Sequence, residues 1–145
     1  MCGISGFLNF DHRPAQREIA EAMNARLLHR GPDGGDVHVE GPMALAHRRL
    51  AIIDPATGRQ PLLSRDGRIA LVANGEIYNY RELRAELVAR GHVFTTHGDC
   101  ETILAGYQEW GIDALQRLRG MFAFALWDGG SERLLLARDR VGIKP

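Results

Sequence analysis

Apolar and polar residues alternate with two different periods along this chain. "GISGFLNF" (3–10) reads as a first strand. After Pro14 the spacing of Ile19, Met23 and Leu27 predicts a helix. "HRGPDGGD" (29–36), half of it Gly or Pro, reads as a loop. "VHVEGPMALAHRRLAII" (37–53) reads as two strands joined near Gly41-Pro42, "DPATGRQP" as a further loop and "SRDG" (64–67) as a turn. "RIALVANG" (68–75) predicts a strand ending on its glycine. Asn79 then suits a helix N-cap with Glu82 at the capping-box position; Leu83, Leu87 and Val88 form the apolar face, and Gly91 ends the helix. A helix from about Cys100 to Trp110 turns Ile103, Leu104 and Tyr107 inward. "MFAFALWD" and "RLLLARD" (133–139) predict two strands around Gly129-Gly130. Strands and helices do not alternate one-to-one, which excludes a doubly wound parallel sheet and predicts a layered α+β sandwich.

Composition narrows the class. The 145 residues suffice for one domain, long enough to bury roughly 68–70% of the unfolded surface without disulfides. Lys plus Arg (18) equals Asp plus Glu (18), so there is no basic excess for a nucleic-acid or membrane surface. Two cysteines are too few for a disulfide framework and suit a reducing compartment. With no signal-peptide pattern and no apolar run near ~20 residues, the expectation is a cytoplasmic protein.

Candidate chemistry begins at "MCGISG". If Met1 is removed, Cys2 carries a thiol and a free α-amine, whose ordinary pKa values are about 8.5 and 7.7–8.0. One residue then supplies nucleophile and base together, as terminal-threonine nucleophiles do. Gly3 and Gly6 would let the backbone approach a substrate closely. The plainer reading makes Cys2 an ordinary strand residue. In "ANGEIYNY" (73–80), Asn-Gly is a hairpin-turn signal. The alternative is a pair of donors, the Asn74 amide and the Gly75 N–H, suited to a tetrahedral oxyanion. In "AHRRLAI" (46–52) alternation sends Arg48 and Arg49 to opposite faces. This describes either a solvated edge strand or a guanidinium fork for a carboxylate. Asp99 in "HGDCE" either caps a helix or holds a substrate ammonium. Cys100 is expected in the core or at the helix start. His29, His47 and His97 lack metal-ligand spacing, so no metal is expected, and there is no phosphate-binding Gly-Lys-Ser/Thr loop.

Taken together, "MCGISG", "HRGPDG", "AHRRLAIID", "QPL", "NGEIYNY", "GDCETIL", "GMFAFALWD" and "ARDRVGIKP" resemble the glutamine amidotransferase domain of glutamine-hydrolysing asparagine synthetases, of the class II, N-terminal-nucleophile group. The matching segments run in order through residues 1–145. The resemblance implies an αββα sandwich of the N-terminal-nucleophile hydrolase type, here short of the family's last strands. It implies that Cys2 attacks the side-chain amide of L-glutamine and forms a thioester, with Asn74 and Gly75 as the oxyanion hole. Arg49 would hold the substrate carboxylate, helped by backbone groups of Leu50, Ala51, Ile52 and Ile53. Glu76 and Asp99 would hold the α-ammonium. Sugar-phosphate and phosphoribosyl relatives share the cysteine start but carry a different arginine-loop pattern. Relatives that amidate short peptides tend to replace the acid after Asn-Gly, and Glu76 therefore favours asparagine synthetase.

The family continues past "GIKP" with further strands and a synthetase domain that binds ATP and aspartate; none of that domain's sequence is present, and magnesium and ATP are expected only there. No cofactor is expected in this domain. Expected partners are L-glutamine and a synthetase domain in cis or in trans, with a homodimer as an assembly to test, and neither nucleic acid nor membrane. The competing class of function is a glutamine-binding module without catalysis, which retention of Met1 would produce.

Overall fold

The computed structural model describes residues 1–51 and 57–145. Strands β1 (Gly3–Leu8), β2 (Gly34–Glu40) and β3 (Met43–Arg49) form an antiparallel sheet in the order β1-β3-β2. Strands β4 (Leu62–Leu63), β5 (Ile69–Ile77), β6 (Gly120–Asp128) and β7 (Arg133–Arg138) form a second antiparallel sheet in sequence order. Helix α1 (Arg17–Arg26) covers the outer face of the first sheet. Helices α2 (Tyr80–Ala89) and α3 (Glu101–Trp110) lie on the outer face of the second, and a 3-10 turn and short α4 (Ala114–Arg117) follow α3.

Three apolar clusters define the layers. Ala15, Ala20, Val37, Ala44 and Ala46 pack around α1. Met43, Leu45, Ala70, Val72, Ala125 and Trp127 fill the space between the sheets. Leu71, Ala73, Ile77, Phe122, Phe124 and Leu126 meet Leu83, Ile103 and Leu104 of the outer helices. The strand period of two accounts for this division: alternate residues of β3, β5 and β6 go to opposite faces. The result is the expected α+β sandwich, with layers α, β, β, α.

Several sequence expectations need correction. β1 stops at Leu8, leaving Phe10 exposed. The first helix begins at Arg17 rather than Pro14, because the Ala15 N–H is tied to the Gly41 carbonyl. Its inward residues are Ala20 and Asn24, while Ile19 is exposed. β2 begins at Gly34, inside the expected loop, because its N-terminal half pairs with β3 through Gly34↔Arg49 and Gly35↔Arg48. β3 ends at Arg49, short of Ile53. In α2, Leu83 and Leu87 are buried one helical turn apart, and the next residue, Val88, faces out. Asn79 stands at the N-cap, yet its amide leaves the helix uncapped; it donates to the Arg117 carbonyl at 3.0 Å and accepts the Arg119 N–H at 2.9 Å.

Two departures shape the site. β5 runs past Asn74-Gly75 to Ile77, so the turn signal is overridden by nine residues of pairing with β6. And β3 is the central strand of its sheet, not an edge, so its two arginines sit over packed layers.

Candidate active site

The N-terminal end of β1, the C-terminal end of β3 and the C-terminal half of β5 converge on one cavity of about 170 Å³. Cys2, His47, Arg49, Leu50, Asn74, Gly75, Glu76 and Asp99 all line it. It is small beside the roughly 300–1,000 Å³ of pockets that take drug-sized ligands, and suits a single amino acid.

Cys2 is half-buried. Its Sγ accepts the Leu50 N–H at 3.3 Å, and its thiol lies 3.6 Å from the Leu50 carbonyl. Arg30 Nε donates to the Cys2 carbonyl at 3.2 Å, so the arginine of "HRGPDG" steadies the first strand just beside the thiol. The same loop is stitched to the end of β3: the Asp33 N–H reaches the Arg49 carbonyl at 3.0 Å, and Asp33 Oδ2 accepts the Ala51 N–H at 2.8 Å. Cys2 and Asn74 also line a second cavity of about 450 Å³, walled by Ile4, Leu27 and Phe124 among others.

The two arginines separate as alternation requires. Arg48 turns to α1, where its Nε donates to the Asn24 carbonyl at 3.3 Å. Arg49 turns into the cavity.

The oxyanion donors follow from the register of β5. Phe122 N–H bonds Asp139 and the Phe122 carbonyl accepts the Asp139 N–H. Both polar groups of Phe122 therefore point away from β5, and its partner Gly75 must point its own N–H away from β6. Beyond Leu71, the last residue of β5 to pair with β4, three N–H groups of β5 face this way, those of Ala73, Gly75 and Ile77. Ala73 donates to Gln60 Oε1 at 2.6 Å and Ile77 to Asp99 Oδ2 at 2.6 Å. Among the described residues, no group accepts from the Gly75 N–H between them. Asn74 and Glu76, one residue to either side, share the inter-sheet face with Val72 and border the same cavity. A Cβ on Gly75 would lie 2.4 Å from the Met121 carbonyl oxygen, so only glycine permits this approach of β5 to β6.

Acidic groups complete the cavity. Asp99 is buried, and its carboxylate caps no helix; Cys100 occupies the N-cap of α3, and Asp99 reaches β5 instead. Cys100 packs against the core cluster. Burial, first, then the neighbouring Asp99 carboxylate and Cys2 push its thiol well above the ordinary range. Cys100 is thus held as a thiol, which leaves Cys2 as the better nucleophile of the two.

The structure brings Cys2, Arg49, Leu50, Asn74, Gly75, Glu76 and Asp99 together. Ala51 does not line the cavity, its N–H being taken by Asp33; Ile52 and Ile53 lie outside the described residues. Gly6 serves packing rather than substrate approach, since a Cβ there would stand 2.4 Å from the Ala44 carbonyl oxygen. Sequence reasoning missed three contributors, His47, Gln60 and Lys144, all of which line the cavity. "QPL" was visible as a motif, but nothing in it signals that Gln60 substitutes for a missing strand partner of Ala73. Among the described residues, no group of three or more His, Cys, Asp or Glu side chains is placed to hold a metal ion. Among the described residues, no helix is long and apolar enough to cross a membrane.

Known proteins resemble this chain in sequence and in fold. The sequence model of one family, the glutamine amidotransferase domain, matches residues 1–145. Asparagine synthetase [glutamine-hydrolyzing] 2 of Bacillus subtilis is 42% identical over 148 residues, covering 100% of this chain and 20% of the relative. Asparagine synthetase [glutamine-hydrolyzing] of Triphysaria versicolor is 46% identical over 144 residues, 99% of this chain and 24% of the relative. A putative asparagine synthetase [glutamine-hydrolyzing] of Mycobacterium bovis is 48% identical over 161 residues, 100% of this chain and 25% of the relative. The chain therefore spans a fifth to a quarter of the length of these relatives. Among solved structures, glutamine phosphoribosylpyrophosphate amidotransferase of B. subtilis is similar at a TM-score of 0.59 and 29% identity, covering 74% of this chain and 25% of that one.

Proposed function

Because the chain belongs to the glutamine amidotransferase family, we propose that it hydrolyses L-glutamine to glutamate and ammonia through a thioester on Cys2. The reading is carried by one observation: the Cys2 thiol shares a small cavity with an open N–H at Gly75, the Asn74 side chain, the Arg49 guanidinium and the Glu76 and Asp99 carboxylates, with Glu101 and Lys144 also on its wall. A cavity that holds both the Arg49 cation and the Glu76 and Asp99 anions matches a free amino acid, which carries both an anion and a cation, better than it matches a peptide.

Removal of Met1 frees the Cys2 α-amine. That amine takes the thiol proton as Sγ bonds the side-chain amide carbon of glutamine. The carbonyl oxygen becomes an oxyanion, and the Asn74 amide and the Gly75 N–H are the donors for it. The amine returns the proton to the leaving nitrogen, the C–N bond breaks and ammonia departs. Water then attacks the thioester, the S–C bond breaks and glutamate is released with the thiol restored. The charged groups that hold the α-carboxylate and α-ammonium act equally on ground and transition states, whereas the two oxyanion donors act on charge that appears only during reaction.

The acceptor of the ammonia is proposed from the relatives. Glu76 and the "HRGPDG" and "AHRRLAI" patterns favour service to an asparagine-forming synthetase domain that activates aspartate with ATP, in the cytoplasm. The test is steady-state release of glutamate and ammonia from L-glutamine by the processed protein. Hydrolysis at Cys2 supports the reading; glutamine bound without turnover, with Cys2 verified as the first residue, contradicts it.

A further inference from the structure

Of the six histidines, His47 alone is buried, at 1% exposure. It precedes Arg49 by two residues on β3 and so leaves the strand on the same face, entering the space between the sheets. There its Nε2 lies 3.2 Å from the Ala73 carbonyl oxygen. A carbonyl oxygen only accepts, so Nε2 carries the proton and Nδ1 the lone pair. Nδ1 has no partner among the described residues. Burial, foremost, draws the imidazole pKa down to about 4, against the upward pull of the Ala73 bond and with a smaller lowering from Arg49; the ring is neutral at neutral pH.

Ala73 needs such a partner because β4 pairs no farther than Leu62↔Leu71. Beyond that point the edge of β5 is completed by side chains, Gln60 at the Ala73 N–H and His47 at its carbonyl. The Ala73 carbonyl and the Asn74 N–H belong to one rigid peptide plane, and Gly75 follows directly. A leucine at 47 would fill this space between Leu45 and Arg49 without burying a lone pair, so packing alone gives no reason for an imidazole here.

We propose that His47 is a positioning residue for the oxyanion hole. By bonding the Ala73 carbonyl across the gap between the sheets, it fixes the Ala73–Asn74 peptide plane and thereby aims the Asn74 amide and the Gly75 N–H at the oxygen carried by the carbon that Cys2 attacks. The same bond sets the distance between the strand that carries Arg49 and the strand that carries the donors. The proposal rests on the glutaminase reading above.

The test compares His47→Leu and His47→Gln in the processed protein. Gln offers an amide N–H at a similar reach; Leu offers none. His47→Leu is expected to lower kcat by about 10–100-fold, less than the roughly 10²–10³ for loss of a direct oxyanion donor, with KM within about threefold and melting still cooperative. His47→Gln is expected to recover most of kcat, and the backbone amide resonance of Gly75 is expected to move in the Leu variant and return in the Gln variant. An unchanged kcat in the Leu variant overturns the proposal, as does a Gln variant no better than Leu. If His47→Leu does not fold, the imidazole ¹⁵N spectrum of the wild type decides: a proton on Nε2 supports the proposal, and a proton on Nδ1 overturns it. Wild-type protein that does not hydrolyse glutamine overturns the glutaminase reading instead, while the tautomer and the Gly75 resonance still report on the positioning bond.

Discussion

Asp99 Oδ2 accepts the Ile77 backbone N–H at 2.6 Å, so a single carboxylate from the start of α3 closes the edge of β5 two residues beyond Gly75. Asp99 thus has two duties, one to the strand and one to the cavity it lines. Substitutions separate them. Asp99→Asn keeps an oxygen for Ile77 and removes the charge; KM for glutamine is expected to rise about tenfold or more while the melting temperature changes little. Asp99→Ala also orphans a buried N–H and is expected to cost about 1–3 kcal/mol of stability. An Asn variant with lost stability and unchanged KM would show that the carboxylate only supports the strand.

Asn74→Ala is expected to lower kcat by about 10²–10³ with little change in KM, because its donor acts on charge that develops during the reaction. Steady-state kinetics with L-glutamine checks this; an unchanged kcat removes Asn74 from the oxyanion hole.

Gly75→Ala would place a methyl 2.4 Å from the Met121 carbonyl oxygen and 2.7 Å from Phe122 Cα. Both neighbours are backbone of β6, so the strands must part. A loss of about 1–3 kcal/mol is expected from the overpacking, together with lost activity, read by denaturant unfolding and turnover on the same sample. A variant as stable and active as wild type would mean that β5 shifts freely here.

Acid should weaken the fold through His47. Its unfolded pKa is 6.5 and its folded value about 4, so between those values the unfolded chain binds more protons. The neutral ring's contribution is complete above pH 6.5 and is lost as pH falls toward 4, by about 3 kcal/mol at ~1.4 kcal/mol for each pKa unit. Asp139 adds to this at lower pH. Burial would raise its pKa, but the N–H groups of Lys144, Ile143, Phe122 and Val141 outweigh that and bring it to about 2. Its contribution is present above pH 3.8 and fades as pH falls through 2. Unfolding free energies at pH 7, 5 and 4 should decline for the wild type and less for His47→Gln; equal slopes would contradict the assignment to His47.

Much of this was legible in the sequence, and the reasons differ by element. Strict alternation in "MALAHRR" divides Arg48 from Arg49 without any knowledge of the partner strands. Gly91 ends α2 with φ 98°, as a left-handed stop requires. What sequence could not show is what tertiary pairing decides. Asn-Gly carries the strongest short turn signal in the chain, yet Ala123 and Phe122 draw it into a strand. β4 has only two residues and α4 only four, too short for any period to register. Gln60 and His47 matter because β4 is so short, a fact written in no local pattern. The motifs of the site were readable as residue types at set spacings; the open Gly75 N–H between two occupied ones emerged only from the register.

A residue that cannot be cleaved, placed before Cys2, tests the α-amine. It is expected to abolish hydrolysis while leaving the melting temperature unchanged, because it acylates the base and touches little of the core. Full activity in that variant would assign the base elsewhere.

The central claim is a covalent glutamyl intermediate on the first residue of the processed chain. Acid quenching during turnover, followed by mass spectrometry of the proteolysed protein, measures it directly. The account predicts a γ-glutamyl adduct on a peptide that begins at Cys2 and lacks Met1. An adduct on Cys100, or steady hydrolysis with no adduct on Cys2 under conditions that preserve thioesters, would contradict it.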